Sequence, residues 1–443
     1  MPQSSAETTL LQRLGLCVLA LLMGLGYASF YVLPIVDPPH SIGHVAMACG
    51  LYVLFLLAAW LSRELKGGVL LFCLVVCGIG FRIALLPLEP SMSDDIYRYI
   101  WDGKMQAIGL NPYSLAPRAP FLEIWRDAYI NPLINHEYLR TLYPPVSQAL
   151  FYVAYKIHPS GYIGIKILLL GAELTTLGLL AFWIRRRGWP MGRLLWYAWC
   201  PLPILELMLD GHLDGFGPPL LLATLLAAKA RRPWATGVVY ALGLMVKPLG
   251  LFVGPLLLWQ FRWRGFLKLA IASACTIVIV NAPYMEAAYL MVQQILHYSQ
   301  HWYFNGPLFI LLDQWVVSSV TRPVLALTVF LFAWFVPFLR GLTFEQRFLL
   351  PLTMYMLTTP TLYPWYIVWI APWLVLVPRT WLFWFVGAIM LAHTVHYNFL
   401  ATGKWAVTMP IFAVEFVPLA LLMMWAAWKH WRHQRSAWVW VTV

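Results

Sequence analysis

Residues 68–113 read GVLLFCLVVCGIGFRIALLPLEPSMSDDIYRYIWDGKMQAIGLNPY, an apolar run followed by a polar, aromatic-rich segment. The run from Gly68 to Leu86 is close to the roughly 20 residues that a helix needs to cross a bilayer. The segment from Ser93 to Tyr113 opens with the neighbouring carboxylates of Asp94 and Asp95. This order predicts that the paired carboxylates lie at a membrane surface, where they can meet a lipid-carried substrate.

The composition of the chain also indicates a membrane protein. Of its 443 residues, 61% are hydrophobic and 11% are charged, too few polar side chains to coat a water-soluble fold. Backbone polar groups in lipid must be satisfied within their own segment, so the apolar runs are predicted to be helices. We expect an all-α membrane protein, a single multi-pass transmembrane domain over residues 1–443 with roughly 12 to 14 spans. The full-length runs are Leu14 to Pro34, His44 to Leu61, Gly68 to Leu86, Ile163 to Ile184, Phe266 to Pro283, Pro323 to Leu339, Trp381 to Leu400 and Pro410 to Trp428, and the half-length runs are Ala235 to Val246, Leu249 to Trp259, Leu349 to Thr359 and Tyr363 to Val377.

The positive charges orient the predicted bundle. Lysines and arginines cluster in alternate short connections and in the C-terminal tail, for example at 185–187, 229–232 and 429–435. The positive-inside rule makes those segments cytoplasmic, together with both termini. Residues 87–145 are then the first large extracytoplasmic loop, which is expected to be catalytic. The net charge of +12 is an orientation signal toward anionic lipid, and nucleic acid is not expected as a partner.

The outer loop is predicted to carry amphipathic interfacial helices. Ser93 can cap a helix that runs to Ile108 and ends at Gly109. Such a helix would lie along the membrane plane, with two stripes of surface neighbours three or four residues apart. The first stripe holds Tyr97, Trp101, Lys104 and Ile108, and the second holds Asp94, Arg98 and Asp102.

The neighbouring carboxylates have two interpretations. Acidic residues in a first helical turn are favoured by the helix dipole alone, and Arg98 could simply pair with them. Adjacent carboxylates also repel, however, so that one of them takes up a raised pKa, which suits a general base. Their place at a bilayer surface beside aromatic residues favours a chemical role.

Further outer-facing groups join them. The turn from Asp210 to Gly215 either lines a wet cavity or is a solvated hairpin. Lys247, before Pro248, offers an ammonium to a phosphate, or it snorkels from a helix end. The aromatic stretches 297–306 and 363–366 can stack on a sugar ring or form a plain aromatic belt. The candidate substrate-binding residues here are His212, Asp214, Lys247, His301, Trp302, Tyr363 and Trp365.

Several kinds of site are not indicated by the sequence. All six cysteines lie inside apolar runs, which suggests neither a disulfide framework nor a zinc site. No glycine-rich phosphate loop is present, so no nucleotide is expected. We therefore predict no cofactor and no metal. Oxygen ligands for a divalent ion could come from a set of aspartates whose spacing does not demand one, namely Asp94, Asp95, Asp102, Asp210 and Asp214.

Short motifs in a fixed order carry a family resemblance. The chain resembles the GT-C superfamily of integral-membrane glycosyltransferases from about Gly80 to Leu376, and it is most similar to bacterial members described as family 87-like or mannosyltransferase-like. The opening motif is fairly specific and the later ones are individually weak. The motifs are SDDIYRYIWDG at 93–103, GLNPY at 109–113, NH at 135–136, YPP at 143–145, GHLD at 211–214, KP at 247–248 and YPWY at 363–366.

This resemblance implies an activity and a location. It implies an inverting hexosyltransferase of the bacterial cytoplasmic (inner) membrane, which takes a sugar, mannose being the most familiar, from a polyprenyl-phosphate carrier. The acceptor is a hydroxyl on a lipid or glycan at the extracytoplasmic face. The superfamily's catalytic base, an acidic residue of the first large outer loop, corresponds to Asp94 or Asp95.

The residue types fit such chemistry independently of the resemblance. A lipid phosphate is a tolerable leaving group, so the protein must neutralise its charge, remove the acceptor proton and hold both reactants in line. The candidate phosphate partners are Lys247, Arg98, Lys104 and His301. Tyr97, Trp101 and Asp102 are further candidate substrate contacts.

The alternative function is a polytopic transporter or a lipid-linked-sugar flippase. Charged residues within spans, here Arg82, Lys166 and Glu173, can line a substrate pathway. Two features of the sequence argue against transport: it has no convincing two-fold repeat, and the outer loop at 87–145 is far longer than a transporter's usual connections.

Overall fold

The computed structural model describes residues 3–32, 38–159 and 161–439. In this part of the chain the regular secondary structure is helical and there is no β-strand, which confirms the predicted all-α class. The end of the first predicted run, at Pro34, lies outside the described residues. The α-helices are α1 Gln3–Ala28, α2 Pro38–Ser62, α3 Val69–Leu85, α4 Asp95–Ala107, α5 Pro145–Ile157, α6 Ile163–Arg187, α7 Leu195–Ala198, α8 Pro201–Ile204, α9 Gly217–Lys229, α10 Pro233–Leu244, α11 Gly254–Asn281, α12 Ala288–His301, α13 Pro307–Asp313, α14 Ser318–Phe335, α15 Phe344–Thr358, α16 Trp373–Leu376, α17 Thr380–Ala388, α18 Thr394–Thr402 and α19 Met409–Val439.

Six helical stretches in the described part are long and apolar enough to cross a membrane, by length and composition. They are Leu10–Tyr31, Ser41–Ser62, Ile163–Arg187, Pro248–His301, Ser318–Phe338 and Met409–Arg432, and the apolar helix Val69–Leu85 is shorter. The multi-pass membrane character is therefore confirmed.

The six stretches are fewer than the 12 to 14 spans expected from the sequence, and the half-length runs account for much of the difference. Proline has no N–H to donate and clashes with the preceding turn, so it interrupts such runs. The stretch that begins at Pro248 opens as a 3₁₀-helix, and a second 3₁₀-helix, Pro364–Trp369, is separated from α16. The total number of spans stays a prediction.

Two broken segments form the centre of the bundle. Every residue from 194 to 218 is buried, and so is every residue from 364 to 377. The first segment passes through α7, α8, one π-helical turn at Leu205–Leu209 and a 3₁₀-turn at Leu213–Phe216. A break in a helix leaves backbone N–H and C=O groups without their helical hydrogen bonds. At membrane depth such groups are tolerated only where they are buried in protein or line a water-filled cavity. These segments therefore bring polar groups into the protein interior.

A fully buried ion pair ties α3 to α6 and to the first broken segment. Arg82 donates to Glu173 Oε2 from Nε at 2.9 Å and from Nη2 at 2.7 Å, and both side chains are 0% exposed. Arg82 Nη1 also donates to the carbonyl oxygens of Gly78 and Ala198, and the Tyr197 hydroxyl donates to the other Glu173 oxygen. The charges are thus compensated entirely within the protein.

The predicted outer-loop helix forms as α4, one residue later than expected. Asp94 is its N-cap, the Ser93 hydroxyl oxygen accepts from the Asp95 N–H at 3.3 Å, and Gly109 follows its end with φ of +84°. Nine of its thirteen residues are buried. The helix is enclosed by its neighbours more than a helix lying along the membrane plane would be, because α5 packs along it.

Gly103 allows the close approach of α4 and α5. A Cβ at this position would overlap the Phe151 carbonyl oxygen, which is backbone and cannot rotate away. We expect Gly103→Ala to destabilise the protein by about 1–3 kcal/mol, outweighing the gain in helix propensity. The measurement is thermal unfolding of detergent-purified protein. Gly80→Ala in α3, where no described residue lies within 4 Å of the added methyl, is the matched control, and an equal stability of the two variants would contradict this account.

Basic residues from two helix ends meet on a single carboxylate. Arg187 at the end of α6 and Lys229 at the end of α9 both pair with Glu345 at the start of α15. The sequence assigns all three connections to the cytoplasmic side. Their convergence on Glu345 agrees with that assignment.

Candidate active site

The two outer-loop carboxylates share one amide donor. Asn135 Nδ2 lies 2.7 Å from Asp94 Oδ1 and 2.8 Å from Asp95 Oδ1. Asp94 is exposed, whereas the Asp95 side chain is 23% exposed and faces the protein. Asn135 thus holds two like charges side by side, and Asp95 is the deeper of the two.

The pKa of Asp95 is raised from its usual 3.8 to about 6. Burial is the main cause because it disfavours the charged carboxylate, and the neighbouring Asp94 charge adds to it. The Asn135 hydrogen bond and the more distant Lys247 ammonium oppose the rise. A carboxylate with this pKa takes up a proton more readily than an ordinary aspartate and is still ionised at neutral pH.

His212 faces Asp95 from the first broken segment. Its Nδ1 lies 3.9 Å from Asp95 Oδ2, and its side chain is fully buried. The preceding Gly211 has φ of +75°, and a Cβ there would overlap Ile96 of α4. Glycine therefore permits both the turn and the close approach that set the imidazole beside the carboxylate.

A column of stacked rings supports His212. The imidazole stacks on Trp365 with centroids 3.8 Å apart, Trp365 stacks on Tyr363 at 4.3 Å, and Tyr363 stacks on Phe304 at 4.4 Å. Because each inner ring is covered on both faces, Tyr363 and Trp365 can present only edges and the tyrosine hydroxyl to a ligand. The column fixes the plane of the imidazole.

Lys247 lies in the same region and is paired with Asp214. Its Nζ donates to Asp214 Oδ1 at 2.9 Å and Oδ2 at 3.1 Å, and it lies 3.8 Å from the centroid of the Tyr366 ring. Trp369 Nε1 also donates to Asp214 Oδ1 at 2.8 Å. The Lys247 side chain keeps 17% of its surface exposed.

Glu206 and His393, which the sequence did not single out, complete this region together with Asp210. Glu206 Oε1 lies 2.7 Å from His393 Nε2, and Glu206 Oε2 lies 3.5 Å from His212 Nε2. Asp210 Oδ1 accepts the backbone N–H groups of Ser91 and Met92. The sequence pattern that could have identified Glu206 is a single carboxylate within an apolar run, four residues before Asp210. This spacing places both side chains on one face of a helix.

The other candidates of the outer loop have partners elsewhere. Arg98 Nε pairs with Asp102 Oδ1 at 3.0 Å, and its Nη1 donates to the Leu139 carbonyl. Lys104 Nζ pairs with Asp127 at 3.0 Å. Tyr97 and Trp101 are buried among the packed helices. Arg98 therefore does not orient Asp94, as the spacing on α4 had suggested.

The two candidates at the end of α12 differ in their surroundings. His301 is exposed, its Nδ1 lies 2.8 Å from the carbonyl oxygen of His297, and the two imidazoles stack at 4.2 Å. Trp302 meets His136 edge-on at 5.0 Å, beside the residue that bridges the carboxylates. Trp302 is thus at the rim of the site, whereas His301 bonds within its own helix.

The fold and these polar groups define a polytopic membrane protein with a buried polar centre. A family model described as alpha-(1->6)-mannopyranosyltransferase, N-terminal domain (MptA_B family) matches residues 20–262, more than half of the chain. The chain belongs to this family of GT-C-type mannosyltransferases and is a glycosyltransferase. No curated protein and no solved structure matches it. The matched residues include Asp94, Asp95, His212, Asp214 and Lys247, whereas His301, Trp302, Tyr363 and Trp365 lie beyond them.

Proposed function

We propose that the protein transfers mannose from a polyprenyl-phosphate carrier to a hydroxyl of a lipid or glycan, with inversion, at the extracytoplasmic membrane face. The observation that carries this proposal is the cluster of Asp95, His212 and Lys247. A partly exposed carboxylate with a raised pKa and the ammonium of a partly exposed lysine are set in one region by separate elements of the fold. This combination suits removal of an acceptor proton and neutralisation of a lipid phosphate.

Asp95 is the proposed general base. It is deeper than Asp94, and its Oδ2 faces His212 while its Oδ1 is held by Asn135. A base near neutral pKa that is ionised at working pH serves proton transfer well. Attack by the deprotonated acceptor oxygen on the anomeric carbon, from the side opposite the phosphate, breaks the carbon–oxygen bond to the phosphate and inverts the configuration. Asp94 raises the pKa of its neighbour and shares the Asn135 donor.

Lys247 is the proposed phosphate partner. The Asp214 carboxylate and the Tyr366 ring position its ammonium, and the side chain as a whole retains exposed surface. A charge-assisted hydrogen bond to a departing phosphate oxygen would stabilise the charge that develops there. Arg98 and Lys104 have carboxylate partners of their own, so Lys247 is the better-placed cation.

An apolar cavity, lined in part by residues that follow Lys247 in the sequence, suits the prenyl chain of the donor. It has a volume of about 300 Å³ and lies between α10, α11 and α14. Its lining includes Leu251 and Phe252, which follow Lys247 and Pro248 in the same 3₁₀-turn. A phosphate at Lys247 would therefore have apolar surface within a few residues for the first part of its chain.

Contacts at both predicted membrane faces support the proposed orientation of the protein in the membrane. Glu345 gathers Arg187 and Lys229 from connections that the positive-inside rule assigns to the cytoplasm. Asp95 and His212 meet from connections assigned to the other face. This pattern supports an extracytoplasmic active site in the cytoplasmic membrane.

The transporter alternative gains no support from the charges within spans. Arg82 and Glu173 are paired and 0% exposed, and Lys166 Nζ donates to the Leu88 carbonyl at 2.6 Å. Side chains that line a substrate pathway must be reachable by water at some stage. A permanent structural role explains the Arg82 and Glu173 contacts more simply.

The proposal is tested by supplying detergent-purified protein with labelled mannose on a polyprenyl phosphate, or labelled mannose on a nucleotide, and a mixed lipid and glycan acceptor fraction. We expect transfer from the lipid donor only, and an α-linked product from a β-linked donor. Transfer from the nucleotide donor alone would refute the lipid carrier, and retention of anomeric configuration would refute direct displacement.

The pH dependence of transfer follows from the raised pKa of Asp95. A base works only when deprotonated, so kcat/KM should rise with pH below about 6 and level off above it. The slope below pH 6 should approach tenfold per pH unit. Initial rates from pH 4.5 to 8, with the fold monitored by tryptophan fluorescence, give the profile. A rate that is flat through pH 6 would contradict Asp95 as the base.

A further inference from the structure

A compact set of ligand-type side chains lies on the far side of His212 from Asp95. Glu206, Asp210 and His212 each contribute one donor atom, and these atoms lie within 4.8 Å of one another. All three residues are buried, with at most 2% of their surface exposed. We propose that this set binds a divalent transition-metal ion, Zn²⁺ being the ion that it fits best, and that the ion positions His212 beside Asp95.

Two buried atoms at the centre of the set have no hydrogen-bond partner among the residues that the structure describes. They are Glu206 Oε2 and His212 Nε2, which lie 3.5 Å apart. Leaving such atoms unsatisfied in a protein interior costs free energy, so they call for an additional ligand. In a tetrahedral zinc site with bonds of about 2.0–2.1 Å, neighbouring ligand atoms are about 3.4 Å apart. The observed separation already matches that value.

The backbone brings these ligands together in an unusual way. Glu206 lies in the π-helical turn Leu205–Leu209, and Asp210 follows it directly. The His212 N–H then donates to the Glu206 carbonyl at 3.0 Å, which folds the imidazole back over the same turn. Single π-helical turns occur preferentially at functional sites, because they shift side chains out of the regular helical register.

Hydrogen bonds from residues that are not themselves ligands fix the orientation of both carboxylates, as is usual for metal ligands. His393 Nε2 lies 2.7 Å from Glu206 Oε1, which leaves Oε2 for an ion. The backbone N–H groups of Ser91 and Met92 hold Asp210 Oδ1, each at 2.8 Å. Hydrogen bonds of this kind fix ligand geometry and raise metal affinity.

There is space for a bound water beside two of the three ligands. A cavity of about 20 Å³ is lined by Glu206, Asp210 and His393 but not by His212. A volume of roughly 10–15 Å³ already holds one water molecule. Three protein ligands and one water would complete the four-coordinate geometry that zinc prefers.

The ion would act on the candidate base through His212. With Nε2 bound to the metal, the imidazole carries its proton on Nδ1, the atom that faces Asp95 Oδ2 at 3.9 Å. The ring would then be held in one tautomer and one orientation, as a donor toward Asp95. The metal is thus proposed as a positioning element, and its binding does not depend on which sugar donor is used.

The test measures bound metal and does not require activity. Full-length protein in detergent is stripped with a chelator, given Zn²⁺, desalted and analysed for metal content. We expect one zinc per chain, and an affinity for Zn²⁺ that falls about tenfold or more in Glu206→Gln and in His212→Gln. The matched control is Glu415→Gln in α19, which changes a buried carboxylate that accepts a hydrogen bond from Asn305. This variant should keep the wild-type affinity.

Substitution of the stripped wild-type chain with Co²⁺ keeps the test decisive if a variant fails to fold. A visible absorption band of a four-coordinate cobalt site with nitrogen and oxygen ligands, displaced by one equivalent of Zn²⁺, would support the site. Wild-type protein that retains no zinc and gives no such cobalt band would overturn the proposal. Zinc bound equally by wild type and by folded Glu206→Gln would overturn it as well.

Discussion

The Asp95→Asn variant is expected to lose mannosyl transfer by about 100- to 10,000-fold, the range that removal of a general base produces. The amide has nearly the same shape as the carboxylate and keeps an oxygen for Asn135 Nδ2, which lies 2.8 Å from Asp95 Oδ1. It cannot accept the acceptor's proton at neutral pH. The loss should therefore appear in kcat, with the elution profile and melting temperature in detergent close to those of the wild type.

The neighbouring carboxylate provides the discriminating comparison. Asp94 is exposed, and its charge is the second contribution to the raised pKa of Asp95. Asp94→Asn should retain most of the transfer rate and shift the acid limb of the pH profile to lower pH, because the repelling charge is gone. Glu137→Gln, an exposed change in the same outer loop, should leave both rate and profile unchanged. If Asp94→Asn is inactive while Asp95→Asn is active, the two roles are reversed.

Arg82→Met is expected to have the largest effect on stability, a loss of about 3–5 kcal/mol. The substitution leaves the Glu173 carboxylate charged, fully buried and without the two hydrogen bonds from Arg82. It also removes the donor to the carbonyl oxygens of Gly78 and Ala198, which join α3 to the central broken segment. Thermal unfolding in detergent, or the folded fraction after purification, measures the loss.

Two comparisons isolate the cause of that loss. The double variant Arg82→Met/Glu173→Leu removes both charges and should recover much of the stability, because no buried charge is left unpaired. Arg118→Met removes an arginine whose nearest carboxylate oxygen, on Glu137, is 3.9 Å away and whose side chain is 70% exposed, so it should cost less than about 1 kcal/mol. A double variant that is less stable than Arg82→Met would show that packing, not charge, dominates.

The sequence predicted well those features that depend on local pattern. Most of the full-length apolar runs became long helices, although the run from Trp381 to Leu400 is divided between α17, a 3₁₀-turn and α18, and the Ser93 to Gly109 segment became α4. Asp95, His212, Asp214 and Lys247, which were all expected from the sequence on one side of the membrane, lie in one region of the structure. The positive-inside rule predicts the side on which each connection lies, and the packing of the helices decides which connections meet.

Features that depend on distant pairing could not be read from the pattern. Glu206 and His393 are 187 positions apart, and only the folded bundle brings them within 2.7 Å. Lys104 looked like a free cation on an exposed stripe, but Asp127, in a segment without a recognisable pattern, neutralises it. Asn135 was visible only as part of a motif, since an amide gives no signal of the two carboxylates that it joins.

The ring column has a consequence for how the enzyme can be divided. The family match ends at residue 262, yet Trp365 covers the face of His212, Tyr366 lies under Lys247, Trp369 binds Asp214 and His393 holds Glu206. A fragment cut at that boundary would keep the proposed reacting groups and lose the surfaces that hold them. The C-terminal half thus supplies the contacts that position the proposed reacting groups of the N-terminal half. Exchanging the two halves, or expressing them separately, would require those contacts to be built again.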